Sequence, residues 1–156
     1  EYIFKNFGEL KNYKKVTEKI ISERTKKSID TTGDLKKILA PLVKVRDENK
    51  FLAQVFQSIR VEVNDELEVI RTLLSDSSKY IKKGGRLVCI SYHSLEDRIV
   101  KKFIQNGGYN NEVESDFYGN KNVIFKKIGK MITPSSEEIK LNNRSRSAKL
   151  RIAEKI

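Results

Sequence analysis

Cysteine and histidine are nearly absent from this sequence, with one of each in 156 residues. The single cysteine, Cys89, cannot form an intrachain disulfide, which is typical of proteins in a reducing compartment. Zinc sites usually take three or four protein ligands, and one histidine with one cysteine inside an apolar segment cannot supply that set. The composition therefore excludes a disulfide-stapled domain, and we expect no metal site.

Long apolar runs are missing as well. No stretch of about 18 apolar residues occurs, and residues 1–5 lack the basic and apolar regions of a signal peptide. We therefore expect a cytoplasmic protein with no membrane segment. The sequence also has no Gly-x-Gly-x-x-Gly after a strand and no phosphate-binding loop, so it carries no nucleotide-binding motif of its own.

Acidic residues are the minority among the charged ones. Lysine and arginine number 32 against 21 aspartate and glutamate, giving a formal net charge of +11. Such an excess favours a polyanionic partner such as nucleic acid, although many basic domains are merely well solvated. A chain of this length can form one domain or parts of two.

The amino-terminal part shows helical periodicity. Apolar residues recur every three or four positions within residues 9–27 and again from 51 to 74, with a break expected near 64–65. A short helix is expected after Thr31 or Thr32, and Pro41 should limit it. Residues 45–50 are charged and aperiodic, which predicts a loop.

The segment 84–98 changes from turn to strand to helix within fifteen residues. Leu87 to Ile90 form a continuous apolar run, which predicts a strand covered on both faces. Ser94 and Asp97 have the spacing of a capping box for the helix that follows. In open α/β sheets ligands bind beyond the carboxyl ends of strands, so the residues that follow this strand occupy the favoured position for a site.

The carboxyl-terminal part is predicted to contain two further strands. Residues 106–122 are rich in glycine, asparagine and acidic residues, which predicts a long surface loop. An exposed or edge strand is expected within 122–132, and Ser135 with Glu138 should cap a short helix. A polar, basic loop at 142–147 then precedes a terminal strand at 148–154.

Several side chains permit two interpretations. A Ser/His/Asp hydrolase built from residues 91–97 is disfavoured, because neighbours in an extended segment diverge instead of converging on one point. His93 could be a structural cap or a functional group. Arg60 and Asn64 share a helix face, and Arg144, Arg146 and Lys149 are interleaved with serines. Both sets are either solvated surface or phosphate contacts.

Three stretches together resemble one family. They are FQSIRVEVNDEL at 56–67, GGRLVCISYHSLEDR at 84–98 and NNRSRSAKLR at 142–151. In this order they are similar to the bacterial small-subunit (16S) ribosomal RNA cytidine N4-methyltransferases, called RsmH or MraW. The similarity covers nearly the whole chain, including the loop at 116–119. The glycine-rich S-adenosylmethionine loop with which members of the family begin has no match here, so the chain resembles the carboxyl-terminal half only.

The resemblance implies an α/β fold, namely the carboxyl-terminal part of a class I, Rossmann-like methyltransferase sheet at 61–156 and part of an inserted helical substrate-recognition domain at 1–60. The implied cofactor is S-adenosylmethionine, bound mainly by the half that is not in this sequence, and no residue of this chain is assigned to it. The implied partner is small-subunit ribosomal RNA or the 30S subunit. The residues implied at the site are catalytic Ser91, Tyr92 and His93, and RNA-binding Arg60, Asn64, Arg98, Arg144, Arg146 and Lys149.

A second class of function stays open. The same charge of +11 would suit a non-catalytic RNA-binding or ribosome-associated module. On the first interpretation, this chain alone is expected to be inactive. A homodimer is compatible with either interpretation.

Overall fold

A computed structural model describes residues 1–106 and 123–156 and shows an α/β protein. The described chain divides into two compact units, Glu1–Glu66 and Leu67–Ile156. The boundary drawn from the sequence was six residues earlier, and the assignment of the two parts to an insert and a methyltransferase domain stays a prediction. Apart from Asn106, the predicted loop at 106–122, with its segment 116–119, lies outside the described residues.

The first unit is helical. Its α-helices are α1 (Tyr2–Asn6), α2 (Tyr13–Arg24), α3 (Thr32–Leu39) and α4 (Glu48–Val63). The helical periodicity therefore predicted α2 and α4 correctly. The predicted break near 64–65 is also confirmed, because Asp65 adopts a φ of +50° between α4 and the next helix.

Local sequence signals explain the ends of α3. The Thr31 hydroxyl accepts a hydrogen bond from the Asp34 backbone N–H, while the Asp34 carboxylate accepts one from the Thr31 N–H, which completes a capping box. A 3₁₀ turn containing Pro41 follows α3 at Ala40–Leu42. The loop predicted at 45–50 was wrong. Val45–Asp47 form a 3₁₀ turn that leads directly into α4, because charged residues are tolerated in the exposed first turn of a helix.

The first unit has its own apolar core. Buried side chains from all four helices and from the segment between α1 and α2 form it: Phe4, Leu10, Val16, Leu35, Leu39, Phe51, Leu52 and Val55. Gly8 allows α1 and α4 to approach closely. A Cβ atom at Gly8 would lie 2.9 Å from the Phe4 carbonyl oxygen and 3.1 Å from that of Gln54.

The described part of the second unit contains three α-helices and a three-stranded antiparallel sheet, and two of these helices share a core with the sheet. Its helices are α5 (Glu66–Tyr80, of which Glu66 belongs to the first unit), α6 (Ser94–Asn106) and α7 (Ser136–Leu141). Its strands are β1 (Arg86–Ser91), β2 (Phe125–Ile132) and β3 (Lys149–Lys155), in the order β1-β3-β2. A 3₁₀ helix occupies Asn143–Ser147, where a loop was predicted. The expected strands are confirmed, and so is the capping of α7 by the Ser135 hydroxyl.

β1 is covered on one face only, so the expectation of a strand covered on both faces was wrong for this chain. Leu87 and Cys89 pack against the core that α5 and α6 form with the sheet, whereas Val88 and Ile90 are 55% and 57% exposed. Side chains alternate along a strand, and the helices of this unit cover one side of the sheet. The continuous apolar run therefore leaves two apolar side chains facing solvent.

The first turn of α6 also differs from the prediction. The capping acid is Glu96, not Asp97. Glu96 Oε2 accepts the backbone N–H of His93 at 3.3 Å, and the first helical hydrogen bond runs from the Asp97 N–H to the His93 carbonyl. His93 is therefore the N-cap residue, and the capping pair lies one position before the one that Ser94 suggested.

Asp97 instead ties α6 to the central strand of the sheet. Its carboxylate accepts two hydrogen bonds from the Arg151 guanidinium, at 2.7 and 3.0 Å, and its Oδ2 lies 3.5 Å from Lys149 Nζ. The Asp97 and Arg151 side chains are only 11% and 14% exposed. The hydrogen bonds from Arg151, with a smaller contribution from Lys149, hold the pKa of Asp97 below its usual value.

The tight contact at Gly8 gives the first prediction. Gly8→Ala should lower the free energy of unfolding by about 1–3 kcal/mol, because the new methyl group meets backbone atoms that cannot move independently. Gly33→Ala is the matched control, since the atom nearest to its Cβ would be 3.6 Å away and the residue lies inside a helix. It should be neutral or stabilising by up to about 1 kcal/mol. Urea denaturation followed by circular dichroism measures both, and equal effects would contradict the close approach of α1 and α4.

The ion pair of Asp97 gives the second prediction. Asp97→Asn should lower the free energy of unfolding by about 3 kcal/mol at pH 7, because it leaves the buried Arg151 charge uncompensated. Glu68→Gln, which removes the exposed pair with Arg71, should cost less than about 1 kcal/mol.

The difference between wild type and Asp97→Asn should depend on pH. The folded pKa of Asp97 lies below the unfolded value of about 4, so its contribution is complete above about pH 4 and is lost as the pH falls through the folded pKa. Urea denaturation at pH 7 and pH 3 tests this. A difference that is the same at both pH values would contradict the assigned charge state.

Candidate functional site

The carboxyl end of β1 presents three successive polar residues with different exposure. Ser91 closes the strand on its covered face and is 5% exposed, opposite Lys149 of β3. Tyr92 follows with 57% exposure. The His93 side chain is 14% exposed and leads into α6. This end of the strand therefore offers an open aromatic ring beside a recessed imidazole.

Glu96 fixes the backbone of this strand end. Its Oε2 atom accepts the backbone N–H groups of both Tyr92, at 2.8 Å, and His93, at 3.3 Å. Hydrogen bonds from two amides to one carboxylate are charge-assisted and restrict how the turn can move. The first turn of α6 therefore holds the backbone of Tyr92 and His93.

The imidazole of His93 is recessed and incompletely satisfied. Its Nε2 lies 3.1 Å from Glu96 Oε1, a distance that suits an ion pair once the ring is protonated. Within residues 1–106 and 123–156, however, neither buried ring nitrogen has a hydrogen-bond partner in suitable geometry. Buried polar atoms are normally paired, so two unpaired ring nitrogens mark His93 as a candidate functional group. The backbone of His93 serves as a cap, but its ring does not.

Arg144 and Arg146 lie on the 3₁₀ helix before β3, and both are exposed. The Asn142 side chain caps this turn by accepting the Arg144 backbone N–H at 3.1 Å. Arg146 Nη1 donates to the Asn143 carbonyl at 3.3 Å. In the described chain neither guanidinium pairs with a carboxylate, so both can contact an anion.

The other predicted RNA-binding residues occupy different settings. Lys149 shares Asp97 with Arg151, and Arg98 lies exposed on α6. In the first unit, Arg60 binds Glu66 through two hydrogen bonds of 2.7 and 3.1 Å, and Asn64 donates to the same carboxylate. The structure therefore compensates Arg60 and Lys149 with acidic side chains, which reduces their attraction for phosphate.

The sequence did not point to Glu96 or to the pairing of Asp97 with Arg151 as parts of this region. The only available signal was that both acids stand in the first turn after a strand end, where a capping role is common. Cys89, two residues before Ser91, is partly buried, and burial raises the pKa of its thiol, so it is neutral at pH 7. It contributes packing rather than a nucleophile.

The two carboxylates near this strand end already have structural roles. Glu96 Oε2 holds two backbone amides, and Asp97 holds Arg151. Among the described helices, none combines the length and the apolar character that crossing a bilayer requires.

Comparison with known proteins gives a consistent result along the whole chain. The model of the MraW methylase family matches residues 1–156. This chain is also similar to proteins called ribosomal RNA small subunit methyltransferase H. The one from Flavobacterium johnsoniae is 52% identical over 154 residues, which cover 99% of this chain and 51% of the relative. That of Flavobacterium psychrophilum is 53% identical over 153 residues, 98% of this chain and 53% of the relative.

A third relative of the same name, from Christiangramia forsetii, is 49% identical over 99% of this chain and 51% of its own length. The chain thus spans about half the length of the curated relatives it matches. The predicted family is confirmed, and the chain belongs to the MraW methylase family.

Proposed function

We propose that this chain is the carboxyl-terminal half of a methyltransferase that modifies N4 of a cytidine in small-subunit ribosomal RNA. The observation that carries the proposal is the strand end at residues 91–93, where an exposed tyrosine adjoins a histidine whose ring nitrogens have no hydrogen-bond partner among the described residues. Membership of a methylase family, and relatives named for ribosomal RNA methylation, support the reaction class.

The exocyclic amine of cytidine is conjugated with its ring and is therefore a weak nucleophile. The enzyme must hold the base out of its stack and orient the amine toward the methyl donor. Tyr92 provides an exposed aromatic face on which a base can stack. His93 is the better candidate to accept a hydrogen from the amine, because its ring nitrogens have no hydrogen-bond partner among the described residues.

S-adenosylmethionine supplies the methyl group in this proposal. Glu96 Oε2 holds two backbone amides and Asp97 holds Arg151, so we assign neither of these two acids to the cofactor's ribose. We place that pocket in the part of the enzyme outside this sequence. The residues described here act on the RNA base: they stack it, orient its amine and keep the strand end rigid.

The uncovered side of β1 supports the larger fold that the proposal needs. Val88 and Ile90 are apolar and exposed, and within the described chain β1 pairs only with β3. An apolar strand with one free edge suits the interior of a larger sheet. We propose a Rossmann-like sheet that continues beyond β1, with residues 1–60 belonging to a helical substrate-recognition insert. The setting would be the reducing cytoplasm, with ribosomal RNA or the 30S subunit as partner.

His93 gives the third prediction. In the complete enzyme, His93→Ala should lower the single-turnover rate of methyl transfer about 100-fold or more, in the range typical of a lost catalytic proton acceptor. Cofactor affinity and melting temperature should stay nearly unchanged, because the cap at this position uses backbone atoms.

Glu96→Gln is the informative comparison for His93→Ala. It weakens the hydrogen bonds that fix the turn and should lower both the rate and the melting temperature. Single-turnover kinetics and thermal melts on the same preparations separate the two variants. A normal rate for His93→Ala would remove this residue from the proposed mechanism.

The arginines before β3 give the fourth prediction. Arg144→Glu with Arg146→Glu should weaken binding to a small-subunit ribosomal RNA transcript and lower the slope of log affinity against log salt by about 1.5. Lys14→Glu with Lys15→Glu changes the net charge equally on the exposed face of α2 and is the control. Filter binding from 50 to 300 mM salt measures both. Equal losses would assign the effect to net charge alone and leave the two arginines as solvated surface.

A further inference from the structure

The second unit carries most of the excess positive charge. Residues 67–156 contain 18 lysines and arginines against 10 acidic residues, which is +8 of the total +11. Part of this charge is locally balanced by ion pairs such as Lys79–Asp76, Arg71–Glu68 and Arg151–Asp97. Several other lysines in the described part of this unit form no ion pair.

Three lysines surround one crevice between the end of α6 and β2. Lys101 comes from α6, Lys127 and Lys130 come from β2, and the apolar floor includes Ile104 and Ile128. Lys127 and Lys130 are exposed, and so is Lys101. In the part of the chain that the structure describes, no ion pair is formed by any of the three.

A bulge in β2 produces this arrangement. Ile128 pairs with Ile152, but Ile132 pairs with Leu150, so three residues of β2 stand opposite the single Arg151. Gly129 permits the bulge with a φ of +63°, which side chains with a Cβ rarely adopt. The bulge brings Met131 to 3.5 Å from Arg151 Nη2 and displays Lys130 beside Lys127.

The chemistry of the crevice selects the kind of ligand. Its volume of about 10 Å³ has room for a single water molecule and not for a nucleobase. Arg151 also lines it, but its charge is balanced by Asp97. Three uncompensated ammonium groups around a shallow apolar floor repel one another, and a chain of phosphates would relieve that repulsion.

From these features we infer that Lys101, Lys127 and Lys130 form a second RNA-binding surface. This surface binds the phosphate backbone at a place separate from the strand end at residues 91–93. The lysine surface, as we call these three residues, contacts phosphates and reads no bases, because lysine offers a point charge and the crevice admits no base. The choice of RNA over another polyanion rests on the proposed function.

The test uses a variant that removes the three charges but keeps side-chain length. Lys101→Gln, Lys127→Gln and Lys130→Gln together should weaken binding to a small-subunit ribosomal RNA transcript about tenfold or more at 100 mM salt. The slope of log affinity against log salt should fall by about 2, as expected for the loss of three phosphate contacts. Circular dichroism melts verify that the variant folds like the wild type.

The matched control makes the same change of charge elsewhere in the unit. Lys82→Gln, Lys83→Gln and Lys140→Gln remove three exposed lysines that lie outside the crevice. Their effect on affinity and slope should be much smaller. A slope change equal to that of the lysine surface variant would overturn the inference, since net charge alone would then explain it.

Two further measurements separate this inference from the proposed function. When the lysine surface variant is combined with Arg144→Glu and Arg146→Glu, the losses of binding free energy should add. Additivity is expected because the two surfaces would contact different phosphates of the RNA. The lysine surface variant should raise the RNA concentration that the complete enzyme needs for half-maximal methyl transfer, whereas His93→Ala should lower the rate at every RNA concentration. If affinity falls for intact 30S subunits but not for naked RNA, the surface binds a ribosomal protein and the RNA assignment is wrong.

Discussion

The ion pair between Asp97 and Arg151 is the contact on which the arrangement of the second unit depends. It joins the first turn of α6 to the central strand β3 across more than fifty residues of sequence, and both side chains are almost fully removed from solvent. A buried pair of this kind is costly when one partner is missing, so it enforces one packing of the helix on the sheet. Its neighbour Glu96 binds the turn after β1 from the same helical turn.

Two adjacent acids therefore have separate structural roles at this position. Asp97 fixes α6 against the sheet, and Glu96 fixes the backbone of the strand end against α6. The backbone of Tyr92 and His93 is consequently held by a series of contacts that begins at β3. The proposed site, which would stack a base and orient a weakly nucleophilic amine, benefits from such restraint, because small displacements of the reacting groups lower the rate.

The sequence predicted those features that depend on near neighbours. Helical periodicity located α2 and α4, and Thr31, one of the two threonines expected before a short helix, caps α3. The family was also recognisable from three motifs. The strand end at residues 91–93 could be identified because an apolar run followed by polar residues marks the end of a strand whatever the tertiary context.

Features that depend on distant residues could not be read from the sequence. Spacing alone assigned Asp97 to a cap, but Arg151 on another strand takes its carboxylate and leaves the cap to Glu96. Likewise, the apolar run of β1 gives no indication of which face this chain covers. The sequence pattern did not predict the bulge at Gly129. The bulge shows only in the positive φ of this residue and in the register between β2 and β3.

Joining this chain to the part of the Flavobacterium johnsoniae relative that lies outside the match would test most directly whether the chain supplies the base-binding side of a ribosomal RNA methyltransferase. The measurement is transfer of a labelled methyl group from S-adenosylmethionine to small-subunit ribosomal RNA, with mass spectrometry to locate the product. We expect no transfer by this chain alone and methylation at N4 of a cytidine by the chimera. A folded chimera that binds S-adenosylmethionine, yet transfers no methyl group, would contradict the proposed function.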